Sequence, residues 1–193
     1  SQRCRIAIVC IIEQFVARLN RIYINRIPTR KHNGILLTTP ARTLLDCAAF
    51  PFPQALPIYD SALRKSLTTI EEVQSLMIQS VCDEVSVTKL LKYADPLSEN
   101  GGESLMRGQI TELSFGIPLL QVQFMNPDNP AMPYRVDFCW KLADGRIIVA
   151  EYDGMAKYAD ISNKNRASLQ AKMEYDRRRD RHLREQGVTE IVH

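Results

Sequence analysis

The stretch RVDFCWKLADGRIIVAEYDG, residues 135–154, constrains the fold of this chain more than any other. Two apolar runs flank a turn signal, Ala143-Asp144-Gly145, and that pattern folds as a β-hairpin. Two closures fit it. A two-residue Asp144-Gly145 turn places Asp137 opposite Tyr152. A three-residue Ala143-Asp144-Gly145 loop, with Gly145 in the left-handed region, pairs Leu142 with Arg146 and therefore Asp137 with Glu151. In that second register the two carboxylates share one face with Cβ atoms about 5 Å apart. Asp153, two residues beyond Glu151, points the same way because strand side chains alternate.

Like charges set opposite one another destabilise a sheet unless a cation lies between them. An array of hard oxygens favours Mg²⁺ or Mn²⁺. The plainer alternative is that these acids fray at the sheet edge and pair with Arg135 or Lys157. Three converging acids followed by Gly154 and Lys157 tip the reading toward a metal site held by Asp137, Glu151 and Asp153.

The remaining chemistry is sparse. At 193 residues the chain suits one or two domains with a real core. Its net charge is only +3, so any nucleic-acid signal must come from local charge. The cysteines (Cys4, Cys10, Cys47, Cys82, Cys139) are scattered, with no CxxC pair and no Cys/His cluster. That argues against a disulfide framework or a zinc site, and for small buried residues in a reducing cytosol. No run is long enough to span a membrane and no signal peptide is legible, so a cytoplasmic protein without a membrane partner is expected. The chain begins at Ser1 rather than Met, and a missing or processed N-terminus is expected. His32, His182 and His193 have no partner acid at readable spacing and are read as surface residues. Trp140 and Tyr134 are read as core or sheet-face packing.

Along the chain, the first half of RIAIVCIIEQFVARLNRIYINRIP is open between strand and helix, IYINRIP and NGILLTT read as strands, and TTPARTLLDCAAF starts a helix with Thr39 as N-cap and Pro40 at its first position. Pro51, Pro53 and Pro57 are expected to break the chain before a helix resumes through IYDSALRK. A capping box from Thr69 to Glu72 opens a further helix, and VTKLLKYA is one more. The polar DPLSENGG, residues 95–102, is the best boundary. Beyond it lie an amphipathic helix with Leu105, Ile110 and Leu113 as its apolar spine, the strand LLQVQF, the hairpin, a long charged helix stopped by Gly187, and the strand VTEIVH. The second half thus reads helix, three strands, helix, strand.

The four pieces ESLMR, YRVDFCW, IIVAEYDGMAKY and YDRRRDRHL…G, in that order and spacing, resemble the PD-(D/E)XK nuclease superfamily, most closely its Vsr-like, DUF559-type branch. The likeness covers roughly residues 98–193. It implies a restriction-endonuclease-like three-layer α/β (α+β) core and a bacterial, Mg²⁺-dependent hydrolase. Asp137 resembles the motif Asp and Glu151 the motif Glu. Asp153 stands where the superfamily more often has Lys, although this branch commonly reads Glu-x-Asp-Gly. Lys157 is then the nearest candidate for the catalytic lysine. Glu103 looks like the helical acid that supports the metal, although an acid near a helix N-terminus also simply suits the dipole. On the charged helix, Asp176, Arg177, Arg179, Asp180, Leu183 and Gly187 match the family pattern, with Arg179 expected to face the site. Arg177, Arg179 and Lys172 are the expected DNA contacts; a solvated helix with i,i+4 pairs explains the same charge run. The family usually continues past the point where VTEIVH ends.

GILLTTPARTLLDCAAF, in the first half, resembles a segment of AbiEi-type antitoxin proteins. The expectation is a mainly helical N-terminal module over residues 1–97, for DNA binding or interaction, followed by a nuclease domain over residues 98–193. The implied function is an endonuclease or nickase acting on double-stranded DNA. The rival is a catalytically inactive, antitoxin-like DNA-binding regulator that keeps the nuclease fold as a scaffold; a weaker third is a protein-interaction module built on the N-terminal helices.

Overall fold

The computed structural model describes residues 4–8, 20–24, 27–152 and 166–193, and these form a mixed α and β protein. Two small antiparallel hairpins come first. β1 (Cys4–Ile8) pairs with β2 (Asn20–Ile24), and β3 (Thr29–His32) with β4 (Ile35–Thr38). The second hairpin turns on Asn33 and Gly34, both at positive φ, as a two-residue turn requires. Four helices follow: α1 (Pro40–Cys47), α2 (Phe52–Arg64), α3 (Ile70–Ile78) and α4 (Glu84–Tyr93). Then come α5 (Gly101–Glu112), β5 (Leu119–Phe124), β6 (Tyr134–Lys141), β7 (Ile147–Ala150), α6 (Arg166–Glu185) and β8 (Val188–Val192). The last four strands make one sheet in the order β5-β6-β7-β8, antiparallel except for the parallel β7–β8 pair. No helix among the described residues is long and apolar enough to cross a membrane.

Local chemistry sets the helix starts. The Thr39 side chain caps α1 with Pro40 inside the first turn, and the Thr69–Glu72 capping box is complete at α3. Asn100 caps α5 by accepting from the backbone N–H groups of Gly102 and Glu103. The prolines do not interrupt α2, contrary to expectation: the helix runs through Pro53 and Pro57. Pro53 lies in the first turn, where no backbone donor is needed, and burial of Ala55, Leu56 and Tyr59 holds the helix past Pro57. The Tyr59 hydroxyl is satisfied by the Leu44 carbonyl at 2.8 Å.

Two apolar clusters result. One gathers Leu44, Leu45, Leu56, Tyr59, Val73, Val87 and Leu90 from α1 to α4. The other joins Val136, Cys139 and Val149 of the sheet to Leu183 of α6 and Val188 of β8. Between them lies α5, and it buries the face opposite to the one its apolar residues suggest. Leu105 and Leu113 are exposed and Ile110 is half-buried, whereas Glu103, Ser104, Arg107 and Gly108 are buried. The expected Leu105–Ile110–Leu113 spine is therefore corrected. A polar face wins because its partners are in place. Arg107 donates to the Asp60 carboxylate at 2.6 Å and to the Tyr93 carbonyl. The backbone N–H of Asp95 donates to Asp60 at 2.8 Å, and Ser104 meets Ser98 at 2.8 Å. Gly108 fits because it lacks a side chain: a Cβ there would lie 2.6 Å from Pro53 Cα.

The DPLSENGG segment is bonded to α2 and to α5: Arg64 donates to the Ser98 carbonyl, and Glu99 N–H donates to Glu103 at 2.8 Å. Removing one member of a buried ion pair leaves an uncompensated charge and costs about 3–5 kcal/mol. Arg107→Leu is expected to lose that much in urea unfolding. Gly108→Ala should lose about 1–3 kcal/mol through overpacking against Pro53. Leu113→Ala should change stability by less than about 0.5 kcal/mol; the opposite ranking would restore the apolar spine.

Candidate functional site

The hairpin closes with the three-residue loop. Gly145 has φ +87°, its N–H donates to Leu142 O at 3.0 Å, and Leu142 N–H donates to Arg146 O at 2.9 Å. Pairing runs from Lys141 with Ile147 up to Phe138 with Ala150, and one further step sets Asp137 opposite Glu151. The two acids thus meet at the end of the ladder, where β7 gives way to irregular chain and Glu151 N–H continues onto β8 by donating to Val192 O at 3.0 Å.

Each acid is held by different neighbours. Asp137 Oδ2 accepts the backbone N–H of Tyr152 at 2.9 Å, and Oδ1 receives a long bond of 3.4 Å from Gln121 Nε2. Glu151 is ion-paired with Arg179 of α6, whose guanidinium also donates to the Arg135 carbonyl at 3.0 Å. Burial works against the Arg179 charge, but the hydrogen bond and charge of Glu151 outweigh it and raise its pKa above the ordinary arginine value. Arg179 also lies over the Tyr134 ring. Arg135 itself pairs with Glu99 rather than with the hairpin acids.

Glu103 enters from the first turn of α5. It is buried and accepts from Glu99 N–H at 2.8 Å, from the Asn100 amide and from Gln121 Nε2 at 3.2 Å. Burial raises its pKa from the ordinary 4.5, the Glu99 backbone bond opposes this, and the charges of Asp137 and Glu99 raise it further. Gln121 therefore bridges Glu103 and Asp137. It stands opposite Asp137 on β5, is itself at φ +53°, and keeps a buried Oε1 with no hydrogen-bond partner.

The structure thus brings together Glu103, Asp137, Glu151 and Arg179, with Gln121 unforeseen between Glu103 and Asp137. Asp153 and Lys157 lie outside the described residues, as does the side chain of Lys172. Among the described residues no three acids, histidines or cysteines are grouped to hold a metal by themselves. Arg177 is exposed, whereas Arg179 is turned inward to Glu151 and is not a free outer contact. His182, read as a surface residue, is buried and shares a 3.0 Å hydrogen bond with the Tyr134 hydroxyl. That partner, on a strand far along the chain, was not visible from spacing along α6.

No family model matches the chain, and no solved structure matches it. Two uncharacterised proteins of Mycobacterium tuberculosis, from strains CDC 1551 and H37Rv, are each 30% identical over 130 residues. Those residues are 66% of this chain and 46% of each relative, so the chain spans about half the length of the curated relatives it matches.

Because the folded protein holds the Glu103 proton more tightly than the unfolded chain, the stability this group contributes is full below about pH 4.5 and is lost as pH rises through the folded pKa. Carbon-detected NMR titration should find Glu103 above its ordinary value, and Asp137→Asn should lower it by removing a neighbouring charge; an unshifted Glu103 in the wild type would contradict this. Arg179→Ala leaves the half-buried Glu151 unpaired, and a loss of about 3 kcal/mol is expected in denaturant unfolding.

Proposed function

We propose that this chain is a metal-dependent DNA endonuclease or nickase of the PD-(D/E)XK kind. The observation that carries the reading is the facing of Asp137 and Glu151 at the open end of β6 and β7, with a basic side chain from α6 and a buried acid from α5 beside them. The order α5, β5, β6, β7, α6, β8 supports it, because a restriction-endonuclease-like core runs helix, three-stranded meander, helix, strand. So does the resemblance of these same segments to that superfamily.

The residues present fit a hard divalent cation. The donors are all oxygens, Asp137 Oδ1 has only a long bond, and the buried Oε1 of Gln121 lacks any partner. Asp137 and Glu151 would hold Mg²⁺ or Mn²⁺, with Asp153 as the third acid. Bound there, the ion supplies a Lewis acid for a phosphate oxygen and lowers the pKa of a water. The chain's own groups do the rest. Arg179 holds Glu151 in place through their ion pair. Glu103 supports Asp137 through Gln121. Lys157, placed in the site from sequence alone, would steady the charge that builds on the phosphate. The exposed Arg177, with Lys172, would follow the DNA backbone.

A second reading is a DNA-binding regulator that retains this fold without cutting. The Arg179–Glu151 ion pair favours it, since it satisfies one of the two acids with no cation. In both readings the helices α1–α4 serve as a DNA-binding or interaction module.

Supercoiled plasmid incubated with the protein and Mg²⁺ or Mn²⁺ separates the two. Nicking is expected from the wild type, reduced by about 10²–10³-fold in Asp137→Ala and Glu151→Ala. A wild type that shifts DNA in a gel but leaves it intact would establish the regulator instead.

A further inference from the structure

Gln121 is where the sheet departs from regularity. Its neighbours Leu120 and Val122 keep their partners Phe138 and Val136 on β6, yet Gln121, opposite Asp137, has φ +53° and drops out of the ladder. Among the described residues, the other non-glycine residues at positive φ are Asn33 in a hairpin turn, and Ser66 and Ser114 just past helix ends. Left-handed backbone is ordinary at such places and uncommon within a strand. Among the described residues, Gln121 alone adopts it inside one.

The distortion carries the amide to the acids. Nε2 lies 3.2 Å from Glu103 Oε2 and 3.4 Å from Asp137 Oδ1. Oε1 is buried and makes no hydrogen bond. A strained backbone and an unsatisfied buried oxygen on the same residue both work against stability. A break in the ladder alone would leave the side chain free to reach water, whereas this side chain is directed between two carboxylates.

We infer that Gln121 is a positioning residue and neutral oxygen ligand of the acid site. Its amide nitrogen holds Glu103 and Asp137 together when no cation is bound, and its carbonyl oxygen joins Asp137 on a hard divalent cation. This rests on the cation-binding reading proposed above. It adds an oxygen from β5, a strand without an acid, to those of the hairpin carboxylates, and gives a role to a polar residue at positive φ there.

Mn²⁺ titration, followed by calorimetry and by melting temperature, tests the inference on the wild type, Gln121→Gly and Gln121→Glu. Glycine accepts positive φ and removes the amide. Gln121→Gly is expected to bind Mn²⁺ at least tenfold more weakly than the wild type. Gln121→Glu places a third acid against Glu103 and Asp137, so it should melt lower without Mn²⁺ and recover with it. Unchanged Mn²⁺ affinity in Gln121→Gly, or a Gln121→Glu variant that melts as the wild type does without Mn²⁺, would overturn the inference while leaving the cation site standing. A wild type that binds no Mn²⁺ would overturn both.

Discussion

The Asp60–Arg107 ion pair is the contact on which the rest of the arrangement depends. It is fully buried, and it closes its hydrogen bonds through Asp95 N–H and the Tyr93 carbonyl. A buried pair contributes little net stability compared with an apolar substitute, but it admits only one geometry. Here that geometry sets the rotation of α5 on α2. With Arg107 inward and Gly108 against Pro53, Glu103 one turn earlier is carried to β5 and Asp137. The site acid on α5 is therefore placed by a contact with the helical half of the chain.

The acid cluster meets its own repulsion in three ways. Glu151 is neutralised by Arg179. Glu103 is hydrogen-bonded at both oxygens, and burial raises its pKa. Asp137 is left with one good bond, from Tyr152 N–H, and one long bond from Gln121. Asp137 thus has the longest of these bonds, and its neighbour Gln121 keeps a buried Oε1 with no hydrogen-bond partner among the described residues. On the proposed reading a cation would satisfy both groups without displacing the backbone that positions them.

How much was legible follows from how local each cause is. The Asp137–Glu151 register was legible as one of two, because the turn residues are adjacent to it in sequence; the left-handed Gly145 selects it. The Thr39 and Thr69 caps were legible for the same reason. The buried face of α5 was not. Apolar periodicity identifies a face only when burial is apolar, and Asp60 lies 47 residues from Arg107. Gln121 escaped notice because its partner depends on the β5–β6 register, set across a loop with no tight-turn signal. His182 was misjudged because its partner, Tyr134, is on a strand 48 residues away.

By itself the sequence determined most of the elements and their order, and narrowed the hairpin to two registers of which one faces the two acids, since turn chemistry, capping and alternation act within a few residues. Only the tertiary structure decided which face of α5 is buried, which cation meets Glu151, and that a strained glutamine joins Glu103 to Asp137. Those outcomes depend on desolvated polar groups finding partners far along the chain, and no short-range pattern encodes that pairing.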